Sequence, residues 1–98
     1  MPDLDRDTLL RRLTEARTDL FGRYPLRRLA LFGSVARGEA EPGSDIDVLV
    51  EFSRPVGFEV AELAMDLDRL LEGRVDLVSA KAIRSAMRPY VERDAIDV

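Results

Sequence analysis

Cysteine and histidine are both missing from this 98-residue chain. Without cysteine there is no disulfide framework and no thiolate metal site. Without histidine the usual general base and the usual zinc ligand are gone, which leaves carboxylates as the groups for handling protons or metal ions. Long apolar runs are missing too. No stretch approaches the ~20 residues needed to span a bilayer, the first residues lack a signal-peptide pattern, and 35% of the chain is charged. A membrane protein is thereby excluded and the cytoplasm is the expected compartment. There is also no basic excess. Fifteen lysines and arginines are scattered among nineteen acids, giving a net charge of −4 and a pI near 4.8. Dedicated nucleic-acid binders carry a basic surplus or stripe, so direct nucleic-acid binding and polymerase-like work on long strands are disfavoured. At 46% hydrophobic, residues 1–98 are expected to form a single globular domain with one core.

Hydrophobic periodicity predicts the order helix, strand, strand, helix, strand, helix. Asp5 to Arg23 reads as a helix, with Leu9, Leu10, Leu13, Ala16, Leu20 and Phe21 on one stripe and Gly22 and Pro25 ending it. Leu29-Ala30-Leu31-Phe32 reads as a buried strand that delivers Gly33 and Ser34, with Ser34 placed to cap a short helix over Val35 to Arg37. Gly38 and the segment to Gly43 break that pattern, Asp45 to Phe52 is the second strand, and Ser53 to Gly57 is a loop. A second amphipathic helix is expected from Phe58 to Leu71, with Val60, Leu63, Ala64, Leu67, Leu70 and Leu71 inward and Gly73 closing it. Val75 to Val78 is the third strand, and a last helical segment covers roughly Lys81 to Ala95, interrupted near Pro89. Tyr24 and Tyr90 are expected to pack while keeping wet hydroxyls. The expected fold class is α/β (α+β), a small mixed β-sheet backed by helices on one side.

The chemistry concentrates in a few positions. Asp45 and Asp47 stand at i and i+2 at the start of an apolar run, and side chains alternate across a strand, so both carboxylates face one side. Carboxylates held close together repel, which a cation between them relieves. Hard oxygen donors of this kind suit Mg²⁺, which keeps several waters and shares its shell with substrate phosphates. The Gly33-Ser34 turn just upstream offers backbone N–H groups and a hydroxyl, the usual means of holding a phosphate. Metal beside phosphate suggests phosphoryl or nucleotidyl transfer. Asp76 on a neighbouring strand would bring a third carboxylate to the same sheet edge, the arrangement of a two-metal site with ions about 3.5–4 Å apart. The bland readings are a capping pair for Asp45 and Asp47, an ordinary turn for Gly33 and Ser34, and a surface residue paired with Arg74 for Asp76. Arg37 suits a bidentate phosphate contact and equally suits an ion pair with Glu39 or Glu41 on a solvated loop.

Gly33-Ser34, ten residues, then Asp45-x-Asp47 resembles the G-S-x10-D-x-D signature of nucleotidyltransferases of the DNA polymerase beta superfamily. With Ala36-Arg37-Gly38, Ser44-Asp45-Ile46-Asp47 and Arg88-Pro89-Tyr90 in so short a chain, it looks most like the minimal nucleotidyltransferases, which often act as antitoxins beside a HEPN-domain toxin. That resemblance implies the superfamily's fold and transfer of AMP from ATP to a hydroxyl. Gly33 and Ser34 would hold the β/γ-phosphates, Asp45 and Asp47 would bridge two Mg²⁺ ions, and Asp76 would be the third catalytic carboxylate. It also implies a HEPN-type ribonuclease toxin as partner, with a toxin tyrosine as acceptor and any oligomer formed through the toxin. Two other functions fit the same residues: a non-catalytic antitoxin that neutralises its toxin by contact, and nucleotidyl transfer to a small molecule such as an aminoglycoside.

Overall fold

The computed structural model describes residues 5–98. Helix α1 runs from Arg6 to Arg23, and Asp5 caps it by accepting a hydrogen bond from the Thr8 backbone N–H at 3.1 Å. It stops because Tyr24 precedes Pro25, and a residue before proline is driven out of the helical region; Tyr24 is extended. Strand β1 follows from Leu26 to Phe32, three residues earlier than the apolar run suggested, since Leu26 and Arg28 also pair with β2, the register shifting between them. A one-turn helix α2 (Gly33–Ala36) leads through a loop to β2 (Ile46–Phe52). Helix α3 (Glu59–Leu71) crosses to β3 (Val75–Ser79). A 3₁₀ turn (Ala80–Ala82), α4 (Arg88–Asp94) and β4 (Ile96–Asp97) complete the order.

The sheet order is β3-β2-β1-β4, with β2 and β3 parallel and the other two pairs antiparallel. The mixed sheet was expected; its fourth strand was not. Helices α1 and α3 lie on one face, burying Leu9, Leu13, Leu63, Leu67 and Leu71 against Leu29, Leu31, Ile46, Val48 and Val50. Each such side chain withdrawn from water stabilises the fold by about 1.5–3 kcal/mol. Val60 departs from the predicted inward stripe and is exposed, because it lies in the first turn of α3, ahead of the first buried contact at Leu63. The helix closes on Glu72, which adopts the left-handed conformation (φ 53°), so Gly73 follows the cap and does not form it.

The opposite face is not bare, contrary to the expectation of helices on one side only. Ala30 and Leu49 are covered by Ala80 together with Ile83, Val91 and Ala95. The helical segment expected over roughly 81–95, interrupted near Pro89, divides into the 3₁₀ turn and α4, because Pro89 lacks an N–H. Proline therefore opens α4, where that N–H would have no partner anyway. The C-terminal segment covers the middle of this face and leaves Asp47 half-buried and Asp76 exposed at its end. No described helix is long and apolar enough to cross a membrane.

Candidate functional site

Strand β2 begins at Ile46, so Asp45 stands one residue before it and Asp47 is its second residue. The loop that delivers them is tied back on itself. Glu41 and Ser44 exchange hydrogen bonds: the Ser44 N–H donates to the Glu41 carbonyl at 2.9 Å and the Glu41 N–H to Ser44 Oγ at 3.0 Å. Pro42 and Gly43 (φ 89°) occupy the two central positions, the residue pattern of a type II turn. The Ile46 N–H then donates to the Arg74 carbonyl at 2.8 Å, which starts the parallel pairing. That register sets Asp47 opposite Asp76, and directly paired residues share a sheet face. Asp45, two residues before Asp47, belongs to the same face by alternation. The three aspartates are thus brought to one end of one face. Arg74 pairs with Asp45 at 3.8 Å and is 83% exposed, so its partner is not Asp76 and the pair is weak.

On the other side β1 places Phe32 opposite Asp47, so Gly33 arrives directly beside that carboxylate. Gly33 has φ 75°, and a Cβ there would lie 2.1 Å from Asp47 Oδ2 and 3.0 Å from its Cγ. Only glycine allows both the backbone turn and this approach. Ser34 does not cap α2: the cap position is Phe32, without a side-chain hydrogen bond. The left-handed turn at Gly33 moves the helix start two residues earlier than the sequence suggested. Among the described residues the Ser34 hydroxyl has no protein partner.

Burial is the largest influence raising the Asp47 pKa above the usual carboxylate value, followed by the charges of Asp76 and Asp45; Arg37 pulls it back. Arg37 is held by Glu39 (Nε to Oε2, 3.1 Å) and by Asp94 (Nη1 to Oδ2, 2.7 Å). The ion-pair alternative is therefore realised, with Asp94 in the place suggested for Glu41. Asp94 carried no local signal, because it lies 57 positions away. Tyr90 is 57% exposed and stays outside the core, with the Arg93 guanidinium 5.6 Å from its ring centroid, whereas the Tyr24 hydroxyl is not wet but donates to Asp66. Among the described residues no group of three acidic side chains converges into a preformed metal cage. The donor set nevertheless fits Mg²⁺: it consists of hard oxygens whose mutual repulsion is registered at Asp47, and Mg²⁺ completes its shell with water and phosphate.

A mixed sheet with a glycine turn pressed on one aspartate, and two more aspartates on the same face, is the framework of a nucleotide-transferring enzyme. The nucleotidyltransferase domain family matches residues 10–97. Protein adenylyltransferase MntA of Thermococcus cleftensis is 38% identical over 87 residues, covering 88% of each chain. The solved structure of a protein assigned as a minimal nucleotidyltransferase superposes with a TM-score of 0.81 at 41% identity, covering 96% of both chains. A toxin–antitoxin structure with AMP-PNP matches with a TM-score of 0.68 at 26% identity, covering 85% of this chain and 69% of that one. The chain belongs to the nucleotidyltransferase domain family and has the minimal nucleotidyltransferase fold.

Proposed function

We propose that this nucleotidyltransferase is a Mg²⁺-dependent protein adenylyltransferase that moves AMP from ATP to a tyrosine hydroxyl of a HEPN-type ribonuclease toxin, and so acts as its antitoxin. The observation that carries the reading is the contact of Gly33 with Asp47 on a face shared with Asp45 and Asp76. It supports a phosphate-holding role for this turn, which lies beside the carboxylates. Asp45 and Asp47 would hold two Mg²⁺ ions, with Asp76 completing the site nearest the nucleophile. Bound Mg²⁺ would supply charge neutralisation on the phosphate oxygens.

The chain's own residues do the positioning. The Gly33-Ser34 backbone and the Ser34 hydroxyl hold the β/γ-phosphates, and Arg37 contacts the phosphate chain. Asp76, exposed at the end of the face, orients the incoming hydroxyl and takes its proton. That oxygen bonds to the α-phosphorus, the bond to the bridging oxygen breaks, and pyrophosphate leaves. The adenylyltransferase relative supports the reaction, and the toxin–antitoxin structure with AMP-PNP supports the nucleotide and the class of partner. On a ribonuclease, an added AMP brings bulk and negative charge, both of which obstruct RNA at a basic groove.

Co-expression with the co-encoded toxin, followed by intact-mass measurement, tests this. The toxin should gain one or more AMP units with the wild-type chain and none with Asp45→Asn/Asp47→Asn. Full neutralisation by the double variant, with no adduct from wild type, would replace catalysis by steric binding.

A further inference from the structure

Arg37 leaves α2 with part of its guanidinium already engaged. Its backbone N–H donates to the Gly33 carbonyl at 3.1 Å, so the residue is tied to the glycine turn. Of its two side-chain partners, Glu39 is two residues away and 66% exposed. Asp94 is different: it belongs to α4, and its side chain is only 12% exposed. A charge-assisted bond of 2.7 Å to a carboxylate largely withdrawn from water is a strong one. Asp94 also stands 3.7 Å from Arg93 Nε through its other oxygen, a looser pair.

The helix that presents Asp94 is itself fixed. Arg28 of β1 forks onto Glu92 at 2.7 and 2.8 Å and donates Nε to Asp97 at 2.7 Å. Val91 and Ala95 pack on Ala30 and Leu49. Asp94 is thus pinned on both sides in sequence and from the sheet below. A carboxylate held this firmly decides where a long, flexible guanidinium rests. Among the described residues the bonds to Glu39 and Asp94 use Nε and Nη1, and both Nη2 hydrogens are left for a third acceptor.

We propose that Asp94 is a positioning residue of the nucleotide site: held on α4, it fixes Arg37 so that the free Nη2 edge meets the phosphate chain at the Gly33-Ser34 turn. The proposal rests on the reading of that turn as the phosphate holder. It makes the C-terminal segment part of the site through its hold on Arg37. An arginine ordered before the ligand arrives has less freedom to lose on binding.

Calorimetric titration of the full chain with AMP-PNP and Mg²⁺ tests this without needing the acceptor. Asp94→Asn keeps the shape and removes the charge; it should weaken binding about tenfold, and Asp94→Glu should recover most of that loss. Because Asp94 acts through Arg37, Asp94→Asn should cost nothing further in an Arg37→Ala background. Unchanged or tighter binding by Asp94→Asn overturns the proposal, as do losses that multiply in the double variant. If wild type binds and Ser34→Ala weakens binding while Asp94→Asn does not, the phosphate turn stands and only this inference falls. If wild type fails to bind, both fall. Should Asp94→Asn show no melting transition, Arg37→Lys takes its place, since an ammonium keeps the charge but cannot span the same partners. It should weaken binding, and unchanged affinity overturns the proposal.

Discussion

Replacing Gly33 with alanine should impose two separable costs. The first is backbone strain: φ is 75°, and an L-residue in the left-handed region costs about 1–2 kcal/mol. The second is a collision, because the new Cβ would meet Asp47 Oδ2 at 2.1 Å, Cγ at 3.0 Å and Cβ at 3.2 Å. The Asp47 side chain must leave its rotamer, adding about 0.5–1.5 kcal/mol. Together these come to roughly 1.5–3.5 kcal/mol, which for a domain of this size lowers the melting temperature by roughly 6–28 °C. Gly38 provides the control. It has the same φ of 75°, but a Cβ there meets nothing within 4 Å, so Gly38→Ala should carry only the backbone share of about 1–2 kcal/mol. Function should separate the two variants further. A displacement of about 1 Å at a reacting centre can cost about 100-fold in rate, so Gly33→Ala should lose adenylyl transfer to that extent while Gly38→Ala stays within a few-fold of wild type. Scanning calorimetry and a transfer assay on both variants give the answer. Equal melting losses, or wild-type transfer by Gly33→Ala, would refute the close approach of Gly33 to Asp47.

Asp45→Asn/Asp47→Asn should abolish transfer while leaving the melting temperature at pH 7 equal to or above wild type. The folded chain raises the Asp47 pKa through burial and through the Asp76 and Asp45 charges, so it binds that proton more tightly than the unfolded chain. Stability then falls as pH rises above about 4, a decline that melting curves across pH should find reduced in the double variant. Ser34→Ala should barely change the melting temperature, since the hydroxyl does not cap α2. It should weaken binding of ATP with Mg²⁺ by about 1.5–3 kcal/mol, as expected for one hydrogen bond to a charged group, and calorimetry reporting unchanged affinity would remove Ser34 from the phosphate site. Tyr24→Phe deletes a bond to Asp66 from a side chain that is 5% exposed, at a cost of about 1–2 kcal/mol near neutral pH. Burial first, then the Asp66 bond, pushes the Tyr24 phenol up to about 12. Its contribution is complete below about pH 10 and is lost as pH rises through that folded value, so alkaline unfolding should be shallower in the phenylalanine variant.

Much of this protein is readable locally because the responsible interactions are local. The leucines at 63, 67 and 71 recur at helical spacing and are buried, as period alone requires. Asp45 and Asp47 share a face because a strand alternates, and a glycine was needed at position 33 because a strand ends there in a sharp turn. The lateral order of strands is another matter. Parity puts Asp76 on some face of β3, but only the parallel register β2/β3 sets it opposite Asp47. Strand β4 is two residues long, and what makes Ile96 and Asp97 a strand is their pairing with Leu31 and Ala30. The same holds for the partner of Arg37. Its neighbours in sequence offer Glu39 and Glu41, yet the largely shielded carboxylate that holds it is Asp94, brought back by α4. Tyr24 likewise finds Asp66 only because α1 packs beside α3. Turn chemistry, strand alternation and helical period act over a few residues and are therefore legible in the order of residues; which side chains meet across 42 or 57 positions depends on how whole elements bury their apolar faces together, which no local stretch encodes.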